Sequence, residues 1–443
     1  MPKRILILAR DFPPYANSLG SVLRMLKLGD FLVDKGYEVH VLAAEGEPVS
    51  TFGYDATLSR FTLHYVPDRF QKYSTRFWIR QQTITRDSDT VAKESAARWV
   101  KTRLLAYTYR CIIPDGGLLY AHKLADAAQA IAERFNIRNV IVSSPPHSTQ
   151  AVGYLLKQRM GPRINYILDY RDSWNTLGIF APKNPVTRWF SQRMEAAALR
   201  AADHITYQSA PVLTKLNSMF FNVSSKAILV MNGFDEKMAI ERSALKTGTD
   251  TVTIGYFGAI SDIPSSYRNP TTFFEAVEST KLPVKVIFFG DINLRGNWDR
   301  RLGEKLEIYG NVSHDEALHR MSEMDILMLL HSQEQGSDEV IPGKLFEYML
   351  AERPILALGP NGMESRRIVK DAGIGYTADA SNKNEIERTL LTIYSDWKEE
   401  RLPEVDAKKL STYSRQNQYR KILPCLLDVQ EFSCDTSIPA STH

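Results

Sequence analysis

The sequence predicts an α/β protein built from two doubly wound domains that face each other across a cleft. Its candidate strands often contain a continuous apolar run, which is typical of parallel strands covered by helices on both faces. They alternate with helical segments, as a doubly wound sheet requires. A polar stretch without an apolar period interrupts this alternation once, and 443 residues are too many for a single core.

The first domain is predicted to span residues 1–235. It opens with the apolar strand "RILILA", a long loop, and a helix over residues 21–35 that stops at Gly36. The next strand, "YEVHVLAA", follows directly. Further strands are predicted at residues 61–66, 139–144, 164–170, 204–209 and 227–232.

The second domain is predicted to span residues 251–406, after a polar linker over residues 236–250. The alternation restarts there, with strands at 252–258, 284–290, 306–310, 325–330 and 354–359 and helices near 270–279, 314–323, 343–351 and 364–371. We expect a last helix over residues 407–430 that packs back on the first domain. The small polar residues 431–443 are typical of a flexible tail.

The composition indicates a cytoplasmic protein. The three cysteines are odd in number and unclustered, so they support neither a disulfide framework nor a thiolate metal site. The apolar run at the N-terminus is interrupted by Arg10 and Asp11 and is too short for a signal peptide. No run approaches the ~20 apolar residues that a membrane helix needs.

Residues 69–110 concentrate positive charge, with ten Lys and Arg against three Asp and Glu in a chain whose net charge is +4. Aromatic residues are interleaved with these cations. This mixture suits an anionic membrane surface, and it predicts a peripheral location at the inner face of the membrane. The alternative is a solvated helical face whose aromatic side chains pack inward. Nucleic acid is not expected as a partner, because no recognition motif accompanies the charge.

The stretch "DEVIPGKLFEYMLAERPIL" follows a predicted strand, where ligands bind in open parallel sheets. Proline suits the first position of a helix, and Gly343 lets a ligand approach the backbone closely. The helix N-terminus and Lys344 can hold a diphosphate. Glu347 lies on the same helical face and can accept hydrogen bonds from the two vicinal hydroxyls of a ribose, while Glu339 precedes the turn.

The alternative for this stretch is structural. Lys344 and Glu347 are spaced for an i,i+3 ion pair, with Glu339 solvated, and spacing alone leaves the two interpretations open. A Walker motif is excluded, since Asp338 stands where its first glycine should be and Leu345 follows the lysine.

Several stretches together resemble glycosyltransferase family 4, whose members are retaining enzymes with two Rossmann-like domains, the GT-B fold. The pattern of two glutamates eight positions apart, within "PGKLFEYMLAERPILAL", carries the resemblance. Further similar stretches are "FPPYANSLGSVLRMLKLGDFLVDKGYEVHVL", "SSPPHSTQAVGYLLK", "ILDYRDSW", "NGFD", "IGYFGAISD" and "YGNVSHDEAL". The last of them places the donor base near Val312.

The resemblance implies a donor site in the second domain. Glu347 would bind the ribose hydroxyls and Glu339 the hydroxyls of the donor sugar. Gly20 would bring backbone N–H groups toward the donor, although a plain helix N-terminus is the alternative. Gly258 ends a strand beside the diphosphate. Many relatives have an arginine directly after this glycine; this chain has Ala259, and we expect Arg268 to replace one missing cation, with Lys344 as the other.

The resemblance also implies residues on the opposite side of the cleft. His147 follows a strand where the family places a residue that touches the donor sugar; polar capping of a helix is the alternative. Asp169, Arg171 and Asp172 are expected to form an orienting network at the acceptor, with a structural Arg–Asp pair as the alternative. We expect His147, Asp172 and Glu339 to act in catalysis.

The predicted function is transfer of a hexose-type sugar, with retention, from a UDP- or GDP-linked donor to a hydroxyl of a saccharide acceptor. A lipid-linked saccharide in cell-envelope polysaccharide synthesis is the expected acceptor. No cofactor or metal is expected, since the single D-x-D match at residues 87–89 lies in the basic segment. The alternatives are a nucleotide-sugar epimerase of the same fold and a non-catalytic partner of another transferase.

Overall fold

Two parallel sheets, each flanked by helices, form the protein in a computed structural model. The structure describes residues 3–17, 19–72, 114–178, 180–182, 184–236, 250–264, 266–333 and 336–427. The predicted α/β class with two doubly wound domains is confirmed. The predicted basic segment 69–110, linker 236–250 and tail 431–443 lie largely outside these ranges.

The first sheet has seven strands within the described residues, in the order β3-β2-β1-β4-β5-β6-β7. Neighbouring strands run parallel. The strands are β1 Lys3–Leu8, β2 Tyr37–Glu45, β3 Thr62–Pro67, β4 Asn139–Ser144, β5 Asn165–Tyr170, β6 His204–Tyr207 and β7 Ala227–Leu229. The chain reverses its winding between β1 and β4, which makes the carboxyl ends of these two strands the switch point where ligands bind in such sheets.

Helices cover both faces of this sheet, which explains why β4 and β5 are buried at every position. The first helix, α1, spans Leu19–Asp34 and ends at Gly36, whose φ of +83° is readily adopted only by glycine. The other helices of this part are α2 Asp55–Leu58, α3 Ala121–Arg134, α4 Ser148–Met160, α5 Pro185–Ala201 and α6 Ala210–Met219.

The second sheet has six strands within the described residues, in the order β12-β10-β8-β13-β14-β15, and its switch point lies between β8 and β13. A separate two-stranded ribbon pairs β9 with β11. The strands are β8 Val252–Phe257, β9 Ile260–Ser261, β10 Val284–Phe289, β11 Ile292–Asn293, β12 Leu306–Tyr309, β13 Ile326–Leu330, β14 Ile355–Gly359 and β15 Gly375–Asp379. The helices are α7 Thr271–Ser279, α8 Trp298–Leu302, α9 His314–Ser322, α10 Gly343–Leu350, α11 Glu364–Asp371 and α12 Lys383–Lys398.

The C-terminal segment differs from the single helix predicted over residues 407–430. Of the described residues 407–427, only α13, Arg415–Arg420, is α-helical, and it lies between short 3-10 turns. The hydroxyl of Ser414 caps α13 by accepting from Asn417 N at 3.3 Å, so a new helix begins there. The segment crosses to the first sheet, where Tyr419 Oη donates to Arg24 O at 3.0 Å and Asn165 Nδ2 donates to Cys425 O at 2.7 Å.

Candidate functional site

A cavity of about 650 Å³ lies between the two sheets and is lined by residues from both. It lies beyond the carboxyl ends of the strands that flank the two switch points, where Rossmann-like sheets bind ligands. Of the predicted site residues, the structure brings five together on its walls: Gly20, Arg171, Asp172, Gly343 and Glu347. The predicted cleft is therefore present, and both domains contribute to it.

Helix α10 presents its N-terminus to this cavity. It begins after Pro342, whose backbone is extended, and Gly343 is exposed at its start. One face of α10 packs into the core through Leu345, Phe346, Tyr348 and Met349, so the helix is held rigidly. Glu347 is half-buried on the cavity wall. The first N–H groups of a helix lack intrahelical partners, and this end of α10 can therefore receive an anion.

Lys344 has an unusual environment for a lysine. Its Nζ atom is buried and has no hydrogen-bonding partner among the described residues. It lies 4.8 Å from the centroid of the Tyr256 ring, and a Cβ atom on Gly258 would collide with it. Burial lowers its pKa to about 8; the charge of Arg268 lowers it too, and that of Glu347 raises it. The hydrogen-bonded ion pair with Glu347, our structural alternative, is not formed.

Arg268 provides a second cation near Lys344. It follows the ribbon strand β9, and its guanidinium lies 5.8 Å from the centroid of the Tyr267 ring. Its charge lowers the pKa values of both Lys344 and His331, which places all three groups within electrostatic reach of one another. Burial is the main cause that lowers the pKa of His331 to about 4, so its imidazole is neutral near pH 7. Lys344 and Arg268 are therefore the two cations of this group.

The loop that joins β12 to α9 carries the predicted base-binding residue. Val312 is 37% exposed, and Tyr309 before it stacks on Phe289 with ring centroids 5.0 Å apart. His314 and Leu318, in the helix α9 that follows this loop, line the cavity. The loop therefore borders the same side of the cleft as Glu347.

Glu339 connects the two domains. Its carboxylate is only 1% exposed and accepts hydrogen bonds from Thr176 Oγ1, which lies 3.2 Å from each oxygen. Lys215 Nζ is 3.6 Å from Oε2, and Ser209 Oγ donates to the Glu339 carbonyl. Burial raises the pKa of Glu339 to about 7, against the lowering effects of Lys215 and Thr176. These partners were not predicted, because they lie far from Glu339 along the chain.

His147 lies directly after β4, as predicted, at the start of α4. Its ring stacks on Trp174 with centroids 5.4 Å apart and meets the edge of Phe180 at 4.9 Å. Ser144 Oγ lies 2.8 Å from Nδ1, whereas Nε2 has no hydrogen-bonding partner among the described residues. Burial lowers its pKa to about 3, with a further contribution from Arg171. The imidazole is therefore neutral at physiological pH and offers one free nitrogen.

Asp169 forms a buried ion pair, but its partner is Arg24 and not Arg171. The carboxylate is 1% exposed and pairs with Arg24 Nη2 at 2.7 Å. Ser143 Oγ and Thr206 Oγ1 also donate to it. Arg24, which lines the cavity, was not predicted. Its signal was present in the sequence, because it is a lone cation on the buried face of α1.

Arg171 and Asp172 lie nearer the cleft. Arg171 donates to the carbonyls of Ser21 and Pro145, so it ties the loop after β5 to the start of α1 and to the end of β4. Asp172 is half-buried, with Arg171 Nε at 3.6 Å and Gln208 Nε2 at 3.5 Å. The predicted network thus divides into one buried pair and one pair at the cavity wall.

The described residues contain neither a metal-binding cluster nor a membrane-spanning helix. In the part of the chain that the structure describes, no group of three His, Cys, Asp or Glu side chains is placed to hold a metal ion. The D-x-D match at residues 87–89 lies outside that part. None of the described helices is long and apolar enough to cross a membrane.

Three solved structures resemble the chain over nearly its whole length. A glycosyltransferase from Rickettsia africae is 12% identical with a TM-score of 0.60, over 96% of this chain and 97% of that one. The lipopolysaccharide outer core galactosyltransferase WaaB is 11% identical with a TM-score of 0.60, over 96% and 99%. HepE of Anabaena, in complex with UDP, is 12% identical with a TM-score of 0.60, over 96% and 99%.

These likenesses cover both sheets and the cleft between them. The chain has the GT-B fold. No family model matches it, and no curated protein sequence matches it significantly. Identities near 12% show a common GT-B architecture, and the chemistry of the cleft must be argued from the residues of this chain.

Proposed function

We propose that this GT-B chain is a glycosyltransferase that uses a nucleoside-diphosphate sugar. The buried ammonium of Lys344, without a hydrogen-bonding partner among the described residues, carries the proposal. A buried cation is costly unless it is paired, and its position beside the N-terminus of α10 and near Arg268 suits an anion with two phosphate groups. The Lys344 ammonium, the N-terminus of α10 and Arg268 thus all favour binding of a diphosphate at the same place.

The donor fits the rest of the cavity as follows. The diphosphate lies at the start of α10, against Gly343 and below Gly258, with Lys344 and Arg268 as its cations. The ribose hydroxyls donate to Glu347 on the cavity wall. The base lies toward the loop that contains Val312, and Gly20 closes the donor site from the first domain.

The donor sugar lies between the domains, where His147 and Glu339 are its nearest predicted partners. The free Nε2 of His147 can bond a sugar hydroxyl. The carboxylate of Glu339 already accepts from a hydroxyl, that of Thr176, and a sugar hydroxyl can replace it with the same chemistry. We place the acceptor against Asp172 and Arg171 at the opposite wall.

Transfer with retention then proceeds on one face of the sugar. The acceptor oxygen bonds to the anomeric carbon as the bond from that carbon to the phosphate oxygen breaks, and the acceptor proton passes to the departing phosphate. The N-terminus of α10, Lys344 and Arg268 stabilise the negative charge that grows on the diphosphate. Exclusion of water from the cleft limits hydrolysis of the donor.

The resemblance to family 4 supports a hexose-type sugar and a lipid-linked saccharide acceptor in cell-envelope polysaccharide synthesis. The basic composition of residues 69–110 is compatible with an acceptor at the inner face of a membrane. This part of the proposal concerns residues outside the described ranges, and the donor site does not depend on it.

The test is release of nucleoside diphosphate from UDP- and GDP-linked hexoses, with and without a lipid extract as acceptor source. We expect acceptor-dependent release and a product whose anomeric configuration matches that of the donor by NMR. Conversion of the donor to an epimeric sugar without any acceptor would instead identify an epimerase. Binding of a nucleotide sugar without turnover under any of these conditions would support the non-catalytic alternative.

A further inference from the structure

Helix α5, Pro185–Ala201, exposes an apolar stripe to solvent. Val186, Trp189 and Phe190 are spaced i, i+3 and i+4, and they are 64%, 51% and 54% exposed. This spacing normally marks the face that a helix buries. Here a different face is buried, formed by Ser191, Glu195, Ala196, Ala198 and Leu199. Packing among the described residues therefore does not account for the exposed stripe.

Arginines accompany the stripe, and carboxylates do not. Arg188 and Arg193 are both exposed, and the Arg193 guanidinium lies 4.8 Å from the centroid of the Trp189 ring. The sequence from 180 to 194 contains no Asp or Glu. The surface thus combines large apolar groups with two arginines that form no ion pair among the described residues. A ligand that matches it is apolar and negatively charged.

The stripe adjoins the proposed acceptor side of the cleft. Phe180, which precedes α5, is 38% exposed and meets the ring of His147 at 4.9 Å. On the buried face, Glu195 accepts from Asn175 Nδ2 at 2.7 Å and so fixes α5 to the loop after β5. A molecule that docks on the stripe would therefore lie next to the residues proposed to meet the acceptor.

We propose that the stripe on α5 docks this protein on an anionic lipid surface. Aromatic and apolar side chains beside arginines on one helical face are what an interfacial helix needs: the rings enter the headgroup region and the guanidinium groups meet lipid phosphates. Two copies of this chain could bury the stripes only by bringing their Arg188 and Arg193 side chains near each other, which like charges oppose.

This lipid-docking proposal rests on the proposed function, which it deepens. It names the surface that brings a lipid-linked acceptor to the cleft.

The experiment is flotation of the full chain with vesicles of phosphatidylcholine, alone or mixed in equal parts with phosphatidylglycerol. We expect binding to the mixed vesicles that weakens with salt. Trp189→Ser with Phe190→Ser should reduce it on the order of tenfold or more, because two large apolar groups are lost from the contact. Arg188→Glu with Arg193→Glu should reduce it as well. Leu391→Ser, at a residue 53% exposed on α12, is the matched control for Phe190→Ser and should change nothing.

Three results would overturn the proposal: no flotation of the wild type, equal flotation of the α5 variants, or self-association that depends on Trp189 and Phe190. The rise in melting temperature with UDP or GDP, measured on each variant, shows separately that the fold is intact and whether the donor site exists. Failure of the lipid proposal and failure of the donor proposal are thus distinguishable.

Discussion

Replacing Lys344 with methionine should make the free protein more stable and its ligand binding weaker. The Lys344 ammonium is buried without a hydrogen-bonding partner among the described residues, and its pKa falls from 10.5 to about 8. At 1.36 kcal/mol per pH unit, this lowering corresponds to ~3 kcal/mol against the folded state near neutral pH. The contact with the Tyr256 ring offsets ~0.5–2 kcal/mol. We therefore expect Lys344→Met to raise the free energy of unfolding at pH 7 by about 1–3 kcal/mol.

The pH dependence of stability tests independently whether the Lys344 ammonium destabilises the folded state. Between about pH 8 and 10.5 the unfolded chain keeps a proton that folded Lys344 has lost, so wild-type stability should rise with pH across this range. Lys344→Met should lack that rise. Urea unfolding of both proteins at pH 7 and at pH 10 measures the difference.

Lys305→Met is the matched control for Lys344→Met. Lys305 belongs to the same domain, but its Nζ donates to Thr280 O at 2.6 Å and to Val277 O at 3.2 Å. Its removal leaves these carbonyls without their donor and should lower stability by ~1–3 kcal/mol. Affinity for UDP or GDP should fall ~10- to 100-fold in Lys344→Met, since a charged hydrogen bond is lost, and should not change in Lys305→Met. A less stable Lys344→Met that binds as tightly as the wild type would refute the reasoning.

Three further predictions concern two glutamates of the cleft and one buried ion pair. Glu347→Ala should weaken UDP or GDP binding ~10- to 100-fold in calorimetric titrations but leave pyrophosphate binding unchanged, because pyrophosphate has no ribose; equal losses for both ligands would contradict the ribose assignment. Burial raises the pKa of Glu339 to about 7, so its contribution to stability is present below pH 4.5 and is lost as the pH rises through 7. Glu339→Gln should abolish the resulting decline in urea midpoints between pH 5 and pH 8. A parallel decline in the variant would count against the raised pKa. Arg24→Met leaves Asp169 buried without its cation and should cost ~3–5 kcal/mol of unfolding free energy, whereas a loss below that of ordinary surface changes would exclude the buried pair.

Much of the fold was predictable because many strands contain a continuous apolar run. The apolar runs of β4 and β13 coincide with strands that are fully buried. The strand β15, Gly375–Asp379, was missed, since "GYTAD" is only partly buried and has no apolar run. It pairs with β14 alone, at the edge of the sheet, where burial does not constrain the sequence as strongly.

Positions in the site were more predictable than contacts. Residues that follow strands β4, β5 and β13 had to lie near the carboxyl edges of the sheets, which located His147, Asp172 and Glu339 in general terms. Their partners depend on how distant loops meet: Thr176 is separated from Glu339 by 163 positions. No periodicity in the sequence records such a contact. Arg24 is the exception, because a charged residue on an apolar helical face indicates a buried counterion.

The most direct test of the central claim is a crystal structure of the full chain with the nucleoside diphosphate that binds it, UDP or GDP. The account predicts the diphosphate at the N-terminus of α10 with a phosphate oxygen within hydrogen-bonding distance of Lys344 Nζ, and the ribose hydroxyls on Glu347. Two results would contradict this account. The nucleotide could be bound elsewhere, or it could lie in this cleft with Lys344 still unpaired and the ribose away from Glu347.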